Sequence, residues 1–157
     1  MCYLLPGQCT DAEKRFLIHD WYGFGGSRPH YEVFGAEDRT TGEIVVVKVF
    51  PIAEWDRDLA SADLGRMTRL EHASLIRPLD FGTVVDDVCP FYTGPLMYVV
   101  EPAQHGVSLE SFLDEEPSAR EVEPIADSIV DGLRYLRQEW SLRDIPPSEI
   151  LLVGKTT

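Results

Sequence analysis

The sequence is short of cysteine, short of positive charge and without any long apolar run, and each shortage removes a class of protein. Its three cysteines, Cys2, Cys9 and Cys89, are an odd number with no close metal-ligand pair, which argues against a disulfide framework or a zinc site and for reduced thiols. Lysine and arginine number 14 against 27 aspartates and glutamates, a net charge of −13. Such a chain repels phosphate backbones and anionic lipid surfaces, so neither nucleic acid nor a membrane is an expected partner. The opening MCYLLPGQC has no basic flank and only a short apolar run around Tyr3 to Leu5, too little for a signal peptide or a membrane span. A cytoplasmic location is the expectation. Internal repeats and low-complexity segments are also missing.

What remains is ordinary globular material. The 157 residues, 44% hydrophobic and 26% charged, suit one domain able to bury roughly two-thirds of its unfolded surface. The first part reads as strands: Arg15 to Trp21 and Glu32 to Ala36 flank a glycine-rich stretch. Glu43 to Phe50, EIVVVKVF, is dense in β-branched residues after a Thr41-Gly42 turn, and the three together predict a meander. Residues 56 to 70 space Leu59, Ala62, Met67 and Leu70 as a helix interrupted by Gly65. Short strands are expected around Ile76 to Phe81 and Leu96 to Val100. Beyond Glu101-Pro102-Ala103 the pattern turns helical. Ser108 can cap a short LESFL helix, and Glu121 to Trp140 carries Val122, Ile125, Ala126, Ile129, Leu133, Leu136 and Trp140 at three-to-four-residue spacing, an amphipathic helix by its period.

Four segments, YEVFGAEDRTTGEIVVVKVF (31–50), LEHASLIRPLDFG (70–82), GVSLESFL (106–113) and DGLRYLRQEWSLRDIPPSEILL (131–152), resemble in order and interval a eukaryotic-like Ser/Thr protein kinase, from its first strand as far as its catalytic loop. The resemblance implies an α+β fold: a protein-kinase-like N-lobe, with a five-stranded antiparallel sheet plus one helix, followed by a partial helical C-lobe. The implied divisions are an N-terminal extension at 1–14, the N-lobe at 15–101, and a hinge with the partial C-lobe at 102–157.

Phosphoryl transfer depends on positioning and charge neutralisation more than on covalent work, so the resemblance is carried over residue by residue. Lys48 matches the strand lysine that holds the α- and β-phosphates of ATP, and its helix partner falls on Asp63, one methylene shorter than the family's glutamate. Gly23 and Gly25 match the first two glycines of the phosphate-covering loop, while the third falls on Tyr31. Read from the residues alone, Gly23 to Gly26 is equally a flexible hairpin turn. Val33 matches a nucleotide-facing strand position. With Val100 taken as the back of the adenine pocket, the Glu101 carbonyl and the Ala103 N–H match the adenine-pairing groups; an ungapped register shifts them by one. In the catalytic loop, Leu142-Arg143-Asp144 stands for His-Arg-Asp. Asp144 keeps the candidate base, Pro146 replaces the lysine, and Glu149 replaces the asparagine as a weak magnesium ligand or a plain solvated acid.

No Asp-Phe-Gly magnesium motif follows that loop. Loss of an electrostatic contact like the missing lysine typically costs about 3–4 kcal/mol of transition-state stabilisation. The resemblance therefore implies a truncated, pseudokinase-like module, inactive alone, that binds a protein partner or a second copy through the exposed face of helix 121–140. ATP is the cofactor it implies, weakly held, with magnesium lacking its main ligand motif. Two alternatives stay open: an active Ser/Thr kinase completed by further chain, and an unrelated α+β interaction domain.

Overall fold

The computed structural model describes residues 4–10, 13–25, 31–53, 56–84, 94–139 and 150–153. The chain divides into two compact units, Met1–Leu70 with Arg77–Ala103, and Glu71–Ile76 with Gln104–Thr157.

The first unit is a five-stranded antiparallel sheet in the order β1-β2-β3-β5-β4. Its strands are β1 (Phe16–Gly25), β2 (Tyr31–Asp38), β3 (Glu43–Pro51), β4 (Asp80–Thr83) and β5 (Leu96–Pro102), with helix α1 (Arg57–Met67) between β3 and β4. The meander read from the sequence is present in β1 to β3. Its β-branched centre explains itself by alternation. Val45, Val47 and Val49 are buried on one face with Phe34, Leu96 and Val100, while Val46, Lys48 and Phe50 turn to the other face and are half-buried.

Helix α1 packs on that second face, where Leu64 joins Met97 and Val99, with Phe50, Ile52, Ala60, Met67 and Phe81 around them. The helix runs through Gly65, and the side chain it buries is Leu64 rather than Ala62, which is exposed. Strand β4 starts four residues later than the expected Ile76 and β5 ends two residues beyond Val100.

Residues of the N-terminal extension contribute to the core. Leu4 is 1% exposed and belongs to the valine-rich cluster. Gly7 N–H donates to the Ile18 carbonyl and Ile18 N–H to that of Gln8, both at 2.8 Å. This short run thus supplies backbone partners to part of β1, a protection for an outer strand of the sheet.

The second unit holds β6 (Gly106–Ser108), α2 (Leu109–Asp114), α3 (Ala119–Glu139) and β7 (Leu151–Val153), with β6 and β7 paired antiparallel. The Ser108 hydroxyl accepts the Ser111 N–H at 3.0 Å, capping α2 as its sequence predicts. Helix α3 begins at Ala119, two residues before the expected Glu121, because Glu121 reaches back to accept the Ser118 N–H at 3.0 Å, half of a capping box. Trp140 lies outside the described residues.

Candidate functional site

The antiparallel register of the first unit aligns one row of residues across four strands: Gly23 opposite Val33, Val33 opposite Lys48, and Lys48 opposite Val99. Directly opposed residues share a face, so Gly23, Val33 and Lys48, separate in sequence, stand side by side. Lys48 is the charged member. Its Nζ lies 2.7 Å from Glu101 Oε2 and donates to Glu101 Oε1 at 2.9 Å. The two side chains keep 30% and 16% of their exposure. The Tyr31 ring lies 5.5 Å from the ammonium, within cation–π range.

That pairing replaces the expected Lys48–Asp63 pair. Asp63 sits on α1 with its side chain 52% exposed, 3.6 Å from Arg66 one turn along. Two causes combine: the aspartate is a methylene short of a glutamate's reach, and Glu101 stands on the lysine's own sheet face, two residues from Val99, close enough for a long side chain.

The hinge expectation also changes by one residue. Val100 is fully buried in the opposite core, so the β5 residue on the Lys48 face is Val99. Carbonyls alternate along β5: Leu96 and Val100 accept from Val84 and Leu79, whereas Pro95 accepts from Ile52 at the end of β3. The same parity turns the Glu101 carbonyl toward β3, opposite Val46. The resemblance, with Val100 as the back of the pocket, gave that carbonyl to adenine. Pro102 has no N–H to give, and Ala103 follows directly after the strand.

Gly23 and Gly25 are strand residues, not loop residues. Gly23 has φ +126° beside a register irregularity between Trp21 and Gly23, a backbone conformation that L side chains rarely adopt. Gly25 has a different reason: a Cβ there would overlap the Tyr31 ring packed on it. The phenol thus occupies the place where the resemblance puts the third glycine and leans on the second. Asp144 and Glu149, with Leu142, Arg143 and Pro146, lie outside the described residues.

An Asp-Phe-Gly triplet does occur at Asp80-Phe81-Gly82, but it is strand β4. Asp80 Oδ2 accepts from Arg15 Nη1 at 2.8 Å and Oδ1 accepts the Phe81 N–H at 2.8 Å, which makes it a structural carboxylate. Among the described residues no group of three or more His, Cys, Asp or Glu is placed to hold a metal, and no helix is long and apolar enough to cross a membrane.

Within the second unit His72 Nδ1 accepts the Ser74 N–H at 3.1 Å, which leaves Nε2 as the donor to Asp131 at 3.2 Å. Its ring packs against Tyr135 at 5.0 Å, and Tyr135 Oη accepts the Glu71 N–H at 3.2 Å. None of His72, Asp131 and Tyr135 is among the site residues expected from the sequence. The one-turn spacing of Asp131 and Tyr135 was the available signal.

No family model matches the chain, and no curated protein matches it. Solved structures do. The crystal structure of Rad53 in complex with AMP-PNP is 24% identical with a TM-score of 0.69, over 89% of this chain and 35% of that one. The Mycobacterium tuberculosis PknI kinase domain is 18% identical with a TM-score of 0.72, over 96% of this chain and 59% of that one. A second structure of that domain gives 17%, 0.69, 97% and 58%. The chain therefore has a protein-kinase-like α+β fold. It spans between 35% and 59% of the length of these three chains.

Proposed function

We propose that this kinase-fold chain is a protein-binding module that does not transfer phosphate by itself and has weak nucleotide affinity. One observation carries the reading: the ammonium that would neutralise phosphate is already neutralised by Glu101 at 2.7 Å, while the helix acid Asp63 faces Arg66. With Tyr31 over the same ammonium, Lys48 is engaged within the chain, which weakens its hold on a triphosphate. No catalytic step is assigned to these residues. The weak nucleotide affinity rests on likeness to Rad53, whose structure holds AMP-PNP.

Protein binding is assigned to α3. Val122, Ile125, Ile129, Leu133 and Leu136 lie at helical spacing, each half-buried. Such a stripe is stabilised by covering it with a protein partner or a second copy, at roughly 25 cal/mol per Å² of apolar surface before association costs. A cytoplasmic setting belongs to the same reading.

The test is incorporation of radiolabelled phosphate from ATP with Mg²⁺ by the purified chain. The expected result is no signal above that of the Asp144→Asn variant. Turnover in isolation, abolished by Asp144→Asn, would overturn the proposal. It would favour a second reading, an active Ser/Thr kinase completed by further chain, for which the observation is that the PknI likeness covers 96% of this chain but 59% of that domain. Repeating the assay with a candidate partner separates the two.

A further inference from the structure

We infer that the Glu101 side chain is a specificity-determining and positioning residue: it is the internal anion of Lys48, and it decides whether a phosphate group is admitted there. The inference rests on the weak-nucleotide reading above and deepens it. The resemblance gave Glu101 a role only through its backbone carbonyl. The side chain is the new element, and its geometry is that of an occupant. Both carboxylate oxygens face one ammonium, at 2.7 and 2.9 Å, a charge-assisted arrangement.

Glu101 retains 16% of its exposure, so its charge is poorly screened by water and weighs more on a neighbouring ion than a surface charge would. A phosphate approaching the same N–H groups meets this carboxylate as well as the ammonium. Attraction to Lys48 is offset by repulsion from Glu101, and expelling Glu101 would leave a half-desolvated carboxylate without its cation. Asp63, the acid a kinase-like helix would offer, does not compete for this place, being 52% exposed and turned to Arg66. The site therefore holds its lysine in position while selecting against polyphosphate. Glu101→Gln keeps the size and one acceptor, removes the charge, and should open the site.

The experiment measures binding of inorganic tripolyphosphate, which carries no adenine, to the full chain by calorimetry and by thermal stabilisation. Glu101→Gln is expected to bind at least about fivefold more tightly than the parent while being no more stable without ligand. Glu101→Asp, which keeps the charge but shortens its reach, should gain less than Glu101→Gln. Glu43→Gln, the same charge removed from an exposed end of β3, should gain nothing, and Lys48→Met combined with Glu101→Gln should lose the gain. A purely structural Glu101 would lower stability with no rise in affinity. That result, or an equal gain in Glu43→Gln, overturns the inference. ATP is titrated in parallel: tripolyphosphate gain without any ATP gain leaves Glu101 as the gate and sinks the nucleotide reading alone.

Discussion

Arg15 closes the first unit at its most demanding point. It donates from Nε and Nη2 to the two oxygens of Asp38, at 3.1 and 2.8 Å, and from Nη1 to Asp80 at 2.8 Å. The Asp38 side chain is only 4% exposed, so its charge depends on that fork. The Arg15 hydrogen bonds hold its carboxyl below the ordinary value of 3.8, against the opposing effect of burial and with help from the Thr40 N–H. A depressed carboxyl contributes stability that is fully present above the unfolded value and is lost as pH falls through the folded one. Urea unfolding should therefore show the midpoint falling as pH drops below 3.8, with less of that fall in Asp38→Asn. At neutral pH, Arg15→Met should lower stability by about 2–4 kcal/mol, because it strands a buried carboxylate. A loss below half a kilocalorie in the same urea series would mean that the fork is idle.

At the scale of elements, α3 carries a defect that its period conceals. Pro124 lies inside the helix, where it has no N–H for the Arg120 carbonyl and its ring crowds that group. The apolar spacing from Val122 to Leu136 still makes the segment a helix, since a long amphipathic stripe outweighs one missing bond. Pro124→Ala should restore the bond and stabilise the chain by roughly 1–3 kcal/mol, less than in a helix centre because the site is near the first turns. Circular dichroism melts would register it as a higher Tm with unchanged helix content. Strand β5 shows the converse case. Its last two residues, Glu101 and Pro102, read as a linker, yet β3 is long enough to pair with both through Val46 and Val45.

For the whole molecule, the dominant long-range quantity is the charge of −13. Self-repulsion of that size destabilises any compact state, and salt relieves it. Raising NaCl from about 10 to about 150 mM shortens the screening length from roughly 30 to 8 Å. We expect Tm to rise by roughly 2–4 °C, equivalent to about 1 kcal/mol for a chain of this size. A fall in Tm would mean instead that ion pairs such as Arg15–Asp38 outweigh the net repulsion.

Much of this architecture was legible beforehand because it is local. The EIVVVKVF run is dense in β-branched residues after a Thr-Gly turn, α3 has a period between three and four, and Ser108 precedes a helix that it caps. The kinase-like fold itself was legible through the resemblance of four segments, in order and interval, to that family. Three-residue strands such as β6 and β7 carry no period at all. Gly106 pairs with Val153, 47 positions on, and nothing in either segment announces the other.

The sequence by itself determined the longer elements, their order and the excess of acid, since propensity, period and charge are properties of neighbours along the chain. The partner of Lys48 was decided only in three dimensions. Asp63 lies nearer in sequence, but strand register sets Val99 opposite Lys48 and so places Glu101 on the lysine's face. An ion pair forms with the charge that the packed backbone holds within a few ångströms, and sequence distance does not enter its energy.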